Sequence, residues 1–377
     1  MLAATFAACG GGGGGGGGDG GSGAFKSTAS MSQARMRADA VLLPDGRALV
    51  AGGLSGSSSG ALTSTEIYDP ETGQWSTTGS LNVVRRVSTN NGNFLIGLAD
   101  GRVLAASNTT AEIYDPDSGV WTATTSPPSS ISLQTLTLLA DGRVLVLLGG
   151  GSSALIFDPE DESWTTVSGF DGRRDHAASL LADGRVLISG GYYSASGGNS
   201  KLSTALIFDP DALSWTSTGN MLTARKEHFS TLLDDGRVLV SHGSIESTTT
   251  AGSAEVYDPD TGQWSAAGDV IKDGPATTGA TSTLLDSGKV LVAGGSAIGY
   301  STPILDIPPQ GTLNQTNAEL FNPGSKQWTR ATKAGTGLVE PRYYHTAVKL
   351  NDGSVLIAGG TVSYTGTAPL TSAEIFK

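Results

Sequence analysis

Three of the four histidines, His176, His228 and His345, each stand three residues after an arginine, in Arg173-Arg-Asp-His, Arg225-Lys-Glu-His and Arg342-Tyr-Tyr-His. Arg35, Arg85 and Arg86 occupy matching places without the histidine, and a glutamate recurs at Glu66, Glu112, Glu255, Glu319 and Glu374. Such a set could bind an acidic ligand, or move protons around a bound substrate. It could equally be spent on itself, each arginine and histidine satisfying a glutamate or a backbone carbonyl. The second account is preferred, because side chains repeated at equivalent positions serve the repeat before they serve one reaction. Cys9 is the single cysteine, so an internal disulfide and cysteine-built metal sites are excluded. The recurring Asp-Pro-x-Thr/Ser-Gly lacks the alternate oxygen ligands and closing acid of a calcium loop. Its aspartate is read as a turn initiator. The glycine run Gly10 to Gly18 has no Lys-Ser/Thr after it and is no phosphate cradle.

These residues are carried by a repeat of about fifty residues that begins at Ala24. A turn of the Asp-Gly-Arg type centres on Gly46, Gly101, Gly142, Gly184, Gly236, Gly288 and Gly353. Tyr/Phe-Asp-Pro, or Asn-Pro once, follows at Tyr68, Tyr114, Phe157, Phe208, Tyr257 and Phe321, and a last copy stops at Phe376. Every tryptophan (Trp75, Trp121, Trp164, Trp215, Trp264, Trp328) lies seven residues beyond one of those aromatics. Each unit predicts four short strands. Strand a ends in Leu-Leu, strand b is Arg-Val-Leu-Val, strand c is Ala-Glu-Ile/Val-Tyr, and strand d holds the tryptophan. Asp-Gly is a strong signal for the a–b hairpin, and Pro and Gly shape the c–d turn. Seven copies have strands a to c, but only six have a tryptophan strand. The segment Phe25-Lys-Ser-Thr-Ala-Ser-Met31 aligns without a gap on Trp215 to Met221, so it should supply the missing outer strand of the last unit.

This pattern resembles the kelch-repeat superfamily, including the propeller of galactose oxidase-like proteins. The marks are the glycine pairs that end strand b (Gly52/Gly53, Gly149/Gly150, Gly190/Gly191, Gly294/Gly295, Gly359/Gly360), the strand-c aromatic and the tryptophan. Ser107-Asn108 and His242-Gly243 depart from the pair in the second and fifth units. The implied fold is all-β, a seven-bladed propeller over residues 24–377, closed by the N-terminal strand. The resemblance to the oxidases implies copper held by two His and two Tyr, one of them bonded to a Cys. Cys9 lies outside the propeller and the histidines sit on different blades, so a radical-copper oxidase is disfavoured and no cofactor is expected.

Residues 1–23 are read as a separate segment. Phe6-Ala-Ala-Cys9 resembles a bacterial lipobox, with Cys9 as the acylated residue, although a basic start and a long apolar stretch are missing. The glycine-rich run behind it is a flexible tether with a reach on the order of 20 Å. Charged residues are 15% of the 377, and the net charge is −12. Neither nucleic acid nor an anionic membrane surface is an expected partner, because both need a basic face. Any membrane contact would run through the lipid anchor. The expected location is the cell envelope, as an outer-membrane or cell-surface lipoprotein or a secreted form.

Alternate links of a blade fall on opposite faces. The short a–b and c–d turns make a plain face, and the variable b–c and d–a links make the other. The longest link, Ser296 to Asn317, carries Tyr300, Ile304, Leu305 and Ile307, while Tyr192, Tyr193 and Tyr364 lie in other b–c links. Tyrosines among Ser, Gly and Asn suit recognition, although the long loop could equally cap the propeller by packing on itself. The functional reading is a tethered propeller that recognises a protein or glycan through these residues. A second reading is a carbohydrate-modifying, mutarotase-like enzyme whose channel mouth is lined by Arg225, His228, Arg342 and His345. A third is a structural subunit of a surface assembly.

Overall fold

The computed structural model describes residues 23–56, 60–85, 93–128, 132–193, 200–245, 252–271, 278–296, 316–331, 337–362 and 368–377. Among them there is no α-helix. Seven four-stranded antiparallel sheets stand around an axis as a seven-bladed propeller, and a two-stranded ribbon (Arg225–Lys226 with Ser244–Ile245) is added between blades. Blade 5 shows the unit. Its strands a to d are Phe229–Leu232, Val238–Ser241, Ser253–Asp258 and Gln263–Asp269, paired in that order. The a–b turn closes with the Gly236 amide donating to the Leu233 carbonyl at 3.0 Å. At the c–d turn the Asp258 carboxylate accepts the amides of Asp260 and Thr261, which is why an aspartate starts it.

Strand b is buried along its whole length, as in Ala48–Ala51, Val103–Ala106 and Val355–Ala358. It has sheet partners on both edges and a neighbouring blade on each face, so a run of apolar residues replaces the usual alternation. Blades pack through the aromatics. The strand-c Tyr or Phe and the strand-d Trp sit opposite each other in register, with ring centroids 4.6 Å apart for Phe208–Trp215 and 5.1 Å for Tyr68–Trp75. The indole N–H then donates back to the preceding blade, from Trp75 to Ala29 O at 2.8 Å and from Trp264 to Gly219 O at 2.7 Å.

The ring closes as the sequence indicates. Phe25–Thr28 pairs antiparallel with Ala373–Phe376 and is strand d of blade 7. Phe25 faces Phe376 with centroids 4.8 Å apart, taking the place of the tryptophan. The sequence ends of the propeller thus share one sheet, and no strand edge is left open between first and last blades.

The glycine pairs have a steric cause. At Gly190, φ is +57° and an added Cβ would meet the Arg225 carbonyl of the next blade. Gly191 donates to that same carbonyl at 2.8 Å. The pair is therefore a close approach between blades, open to a residue without Cβ.

The closure has a direct test. Deleting residues 1–22 should leave the melting temperature within about 1 °C of the full chain, whereas deleting residues 1–28 should lower it by roughly 10 °C or more and yield oligomers by light scattering.

Candidate functional site

The repeated arginines and glutamates meet inside the blades. Arg225 donates to Glu255 Oε1 at 2.7 Å and to the carbonyls of His242 and Ser253 at 2.9 and 2.7 Å. Glu255 in turn accepts the amides of Leu222 and Thr223 in the d–a link. The side chain of Arg225 thus ties the link entering blade 5 to strands b and c of that blade. The pairs Arg35–Glu66, Arg85–Glu112 and Arg342–Glu374 repeat this at 2.7–2.8 Å, with both partners buried. Burial would lift the Glu66 carboxyl, but Arg35 and the Ser32 amide outweigh it and hold it below the usual carboxylate range.

Three blades depart from the pairing: blade 3 carries neither half, with Leu155 where the glutamate would stand, and blades 4 and 6 each keep one half and give it another partner. Blade 4 has Arg173 but Leu206 where the glutamate would stand, and Arg173 pairs with Asp171 at 2.6 Å instead. Blade 6 has Glu319 and no arginine in register. There His242 of blade 5 reaches across, its Nε2 2.8 Å from Glu319 Oε1, and its ring sits edge-on to Trp328. His242 holds this position at φ +61°, the left-handed region that the first glycine of the pair occupies elsewhere. Its departure from the glycine pattern is the price of a partner for Glu319.

On the axis, strand a of all seven blades lines a cavity of about 380 Å³. Its wall is cross-linked blade to blade by polar side chains. Asp39 accepts the amides of Phe94 and Leu95 at 2.8 and 2.9 Å, and Asn93 pairs with the backbone of Leu136. Gln134 accepts the Asp175 amide, and Ser179–Ser230 and Thr231–Ser282 join blades 4, 5 and 6. Thr281 bonds His345 Nε2 at 3.0 Å, and the Arg37 amide donates to the Tyr344 carbonyl at 2.8 Å. Arg37, Asp175, Glu227 and Tyr344 all take positive φ, between 51° and 57°, two residues after the arginine position. That turn aims each amide at the preceding blade.

His228 and His345 line this cavity, whereas Arg225 and Arg342 are wholly buried in their blades. His228 Nε2 lies 2.8 Å from Ser189 Oγ. Burial, helped by the nearby arginine charge, pushes His176 down to about 4 and His345 to about 3, and lowers His228 as well. Tyr192 and Tyr193 stand together at the rim. Tyr193 donates to Asp171 at 2.7 Å, and the Lys226 ammonium sits 4.6 Å from the Tyr192 ring centroid, 3.2 Å from Asp175. Tyr300, Ile304, Leu305, Ile307, Tyr364 and Cys9 lie outside the described residues. Sequence reasoning passed over Asp39, Asn93 and Gln134. Their signal was a break in the repeat: where Asp39 stands, other blades carry Phe94, Ala177 or Phe229.

Comparison with known proteins agrees with this architecture. Kelch motif families match residues 40–82 and 172–222. The chain is a seven-bladed β-propeller that carries kelch motifs. Galactose oxidase of Gibberella zeae is 26% identical over 262 residues, 63% of this chain and 36% of that protein. Beta-scruin of Limulus polyphemus is 24% identical over 229 residues, covering 60% of this chain and 23% of its own. The propeller thus spans a minor part of either curated relative. A solved fungal alcohol oxidase of the AA5 family, in complex with copper, superposes with a TM-score of 0.70 at 18% identity, over 95% of this chain and 76% of that one. That likeness is one of fold. Among the described residues no three His, Cys, Asp or Glu groups converge closely enough to hold a metal ion.

Two outcomes follow from this chemistry. Replacing His242 by Gly relieves the backbone but removes the imidazole beside Glu319, which keeps the Ile271 amide, and should cost a net ~1–3 kcal/mol in urea unfolding. His176, His228 and His345 bind a proton more readily unfolded (near 6.5) than folded, so their contribution to stability should be full above that pH. It should fall as pH drops from about 6.5 toward 4, by up to ~1.4 kcal/mol per pH unit for each histidine. A His176→Gln, His345→Gln double variant should flatten that slope.

Proposed function

We propose that this propeller is a binding module that recognises a protein or glycan partner through its variable face. The observation that carries the reading is how apolar surface and charge divide between the faces. Of the eight large apolar side chains exposed among the described residues, Val83, Val84, Tyr193, Leu222, Val339 and Val362 stand on the b–c and d–a links, and only Val120 and Leu213 on the plain side. The plain face instead carries rows of carboxylates, such as Asp69 and Glu71 or Asp158, Glu160 and Asp161, and with them most of the chain's net charge of −12. A nearly neutral face with isolated apolar residues between polar loops suits a protein or glycan partner, while the acidic face resists close association.

The point where the chain enters supports the same orientation. Ala24 and Phe25 lie beside Lys377 and Phe376, at the plain end of blade 7. With Cys9 acylated and the glycine run as a tether, the plain face would look toward the envelope and the variable face away from it. The alternative of a carbohydrate-modifying enzyme draws on the relatedness to an oxidase of sugars by name. The arginines that such a reaction would use, Arg225 and Arg342, are instead committed to Glu255 and Glu374.

The test is replacement of residues 297–315 by a short turn, together with Leu222→Asp and Val339→Asp in a second variant. Pull-down from native envelope and glycan-array binding should drop at least tenfold in one or both, with melting temperature within about 3 °C of wild type. Undiminished binding in both would overturn the assignment to this face.

A further inference from the structure

Asp39 is the unexplained carboxylate of the structure. It lies in the wall of the axial cavity of about 380 Å³, at a register position that the other blades fill with Phe94, Thr135, Ala177, Phe229, Thr281 and Thr346. The buried glutamates all have a cationic or imidazole partner: an arginine for Glu66, Glu112, Glu255 and Glu374, and His242 for Glu319. Asp39 makes no ion pair among the described residues. Its contacts are three amides, those of Ala40, Phe94 and Leu95 at 2.8–2.9 Å. It keeps part of its surface open to the cavity while blades enclose it on every side. That enclosure lifts its carboxyl to about 6, against the pull of the three amides.

Two residues earlier, nearer the mouth, Arg37 lines the same cavity with its guanidinium 3.7 Å from the Tyr344 ring centroid. Arg37 sits in the left-handed turn that leads into the strand beginning at Asp39, and both side chains face the same cavity. Arg37 and Asp39 are the one cationic and the one acidic side chain among the lining residues described; His228 and His345 are held neutral by burial. A simple cation that reached Asp39 would pass the Arg37 charge, and a simple anion at Arg37 would face Asp39. A molecule carrying both charges satisfies both. At the level of Asp39 and beside it the wall offers Phe229 and the methyls of Ala177, Ala280 and Ala347, which suit a short aliphatic spacer. The volume falls in the range of small-ligand sites.

The geometry points to a small zwitterion as the ligand of the axial channel, an amino acid in which the ammonium meets Asp39 and the carboxylate lies toward Arg37. Neither Asp39 nor Arg37 belongs to the loop face, so the site stands independently of the partner-binding reading. Replacement of residues 297–315 should leave it intact.

The experiment is isothermal titration calorimetry of the full chain at pH 7.5 with three probes of matched length: 4-aminobutyrate, butylamine and butyrate. The zwitterion should bind at least about tenfold more tightly than either singly charged probe. Asp39→Asn should weaken 4-aminobutyrate by roughly tenfold or more, and Arg37→Gln should erase its advantage over butylamine. Ala347→Leu, which narrows the channel without touching either charge, should abolish binding with an unchanged melting temperature, and it decides the question if the Asp39 variant folds poorly. Because Asp39 must be ionised, wild-type affinity should fall about tenfold between pH 7.5 and pH 5; Arg37 keeps its charge over that span, and His345, at about 3, stays neutral. Equal binding of butylamine, full binding by the Asp39 or Ala347 variant, or no heat from any probe at about 10 mM would overturn the assignment.

Discussion

A propeller has to carry its chain from the outer strand of one blade to the inner strand of the next, and each crossing leaves backbone amides and carbonyls away from water. In four of the seven blades a buried arginine–glutamate clamp takes up those groups. The glutamate gathers the amides of the incoming link, and the arginine gathers the carbonyls that end strands b and c. A lone buried charge would cost several kcal/mol, so neither half is tolerable without the other. The two blades that keep a single half bear this out: Arg173 found Asp171, and Glu319 found His242, while blade 3 carries neither half.

Inside the clamps a second ring of polar contacts runs around the axis. It uses side chains that differ from joint to joint, a carboxylate at one, an amide at another, paired hydroxyls at two more. The left-handed residues at Arg37, Asp175, Glu227 and Tyr344 belong to this ring, since they turn an amide onto the neighbouring blade. Strain at such positions is held by the contacts on either side. The result is a channel wall that is stiff, largely satisfied, and free to vary at single positions without loosening a blade. Asp39 is such a position.

The two faces divide the remaining work. On the plain face, turn aspartates bind the amides of their own turns and, in Asp45, Asp100 and Asp141, the arginine two residues on. That chemistry is local, repeats with the blade, and leaves an acidic surface. On the variable face the b–c and d–a links carry no such shared rule, and the exposed apolar side chains collect there. Around the axis the described polar side chains serve as braces between blades.

The seven blades, the closing strand at Phe25 and the commitment of arginine to glutamate were legible in the sequence, because each depends on contacts that recur at a fixed spacing. Turn residues, apolar strands and aromatic pairs are short-range signals, and repetition multiplies them. The repairs were not legible. Nothing in the order of residues says that His242 of one blade serves Glu319 of the next, or that Asp39 shares a cavity with Phe229 and Tyr344. Those neighbours lie tens to hundreds of residues apart, and their meeting is decided by ring closure rather than local preference. The sequence by itself determined the unit and its count. The tertiary structure decided which departures from the unit touch, because a departure has no repeated partner from which its contact could be read.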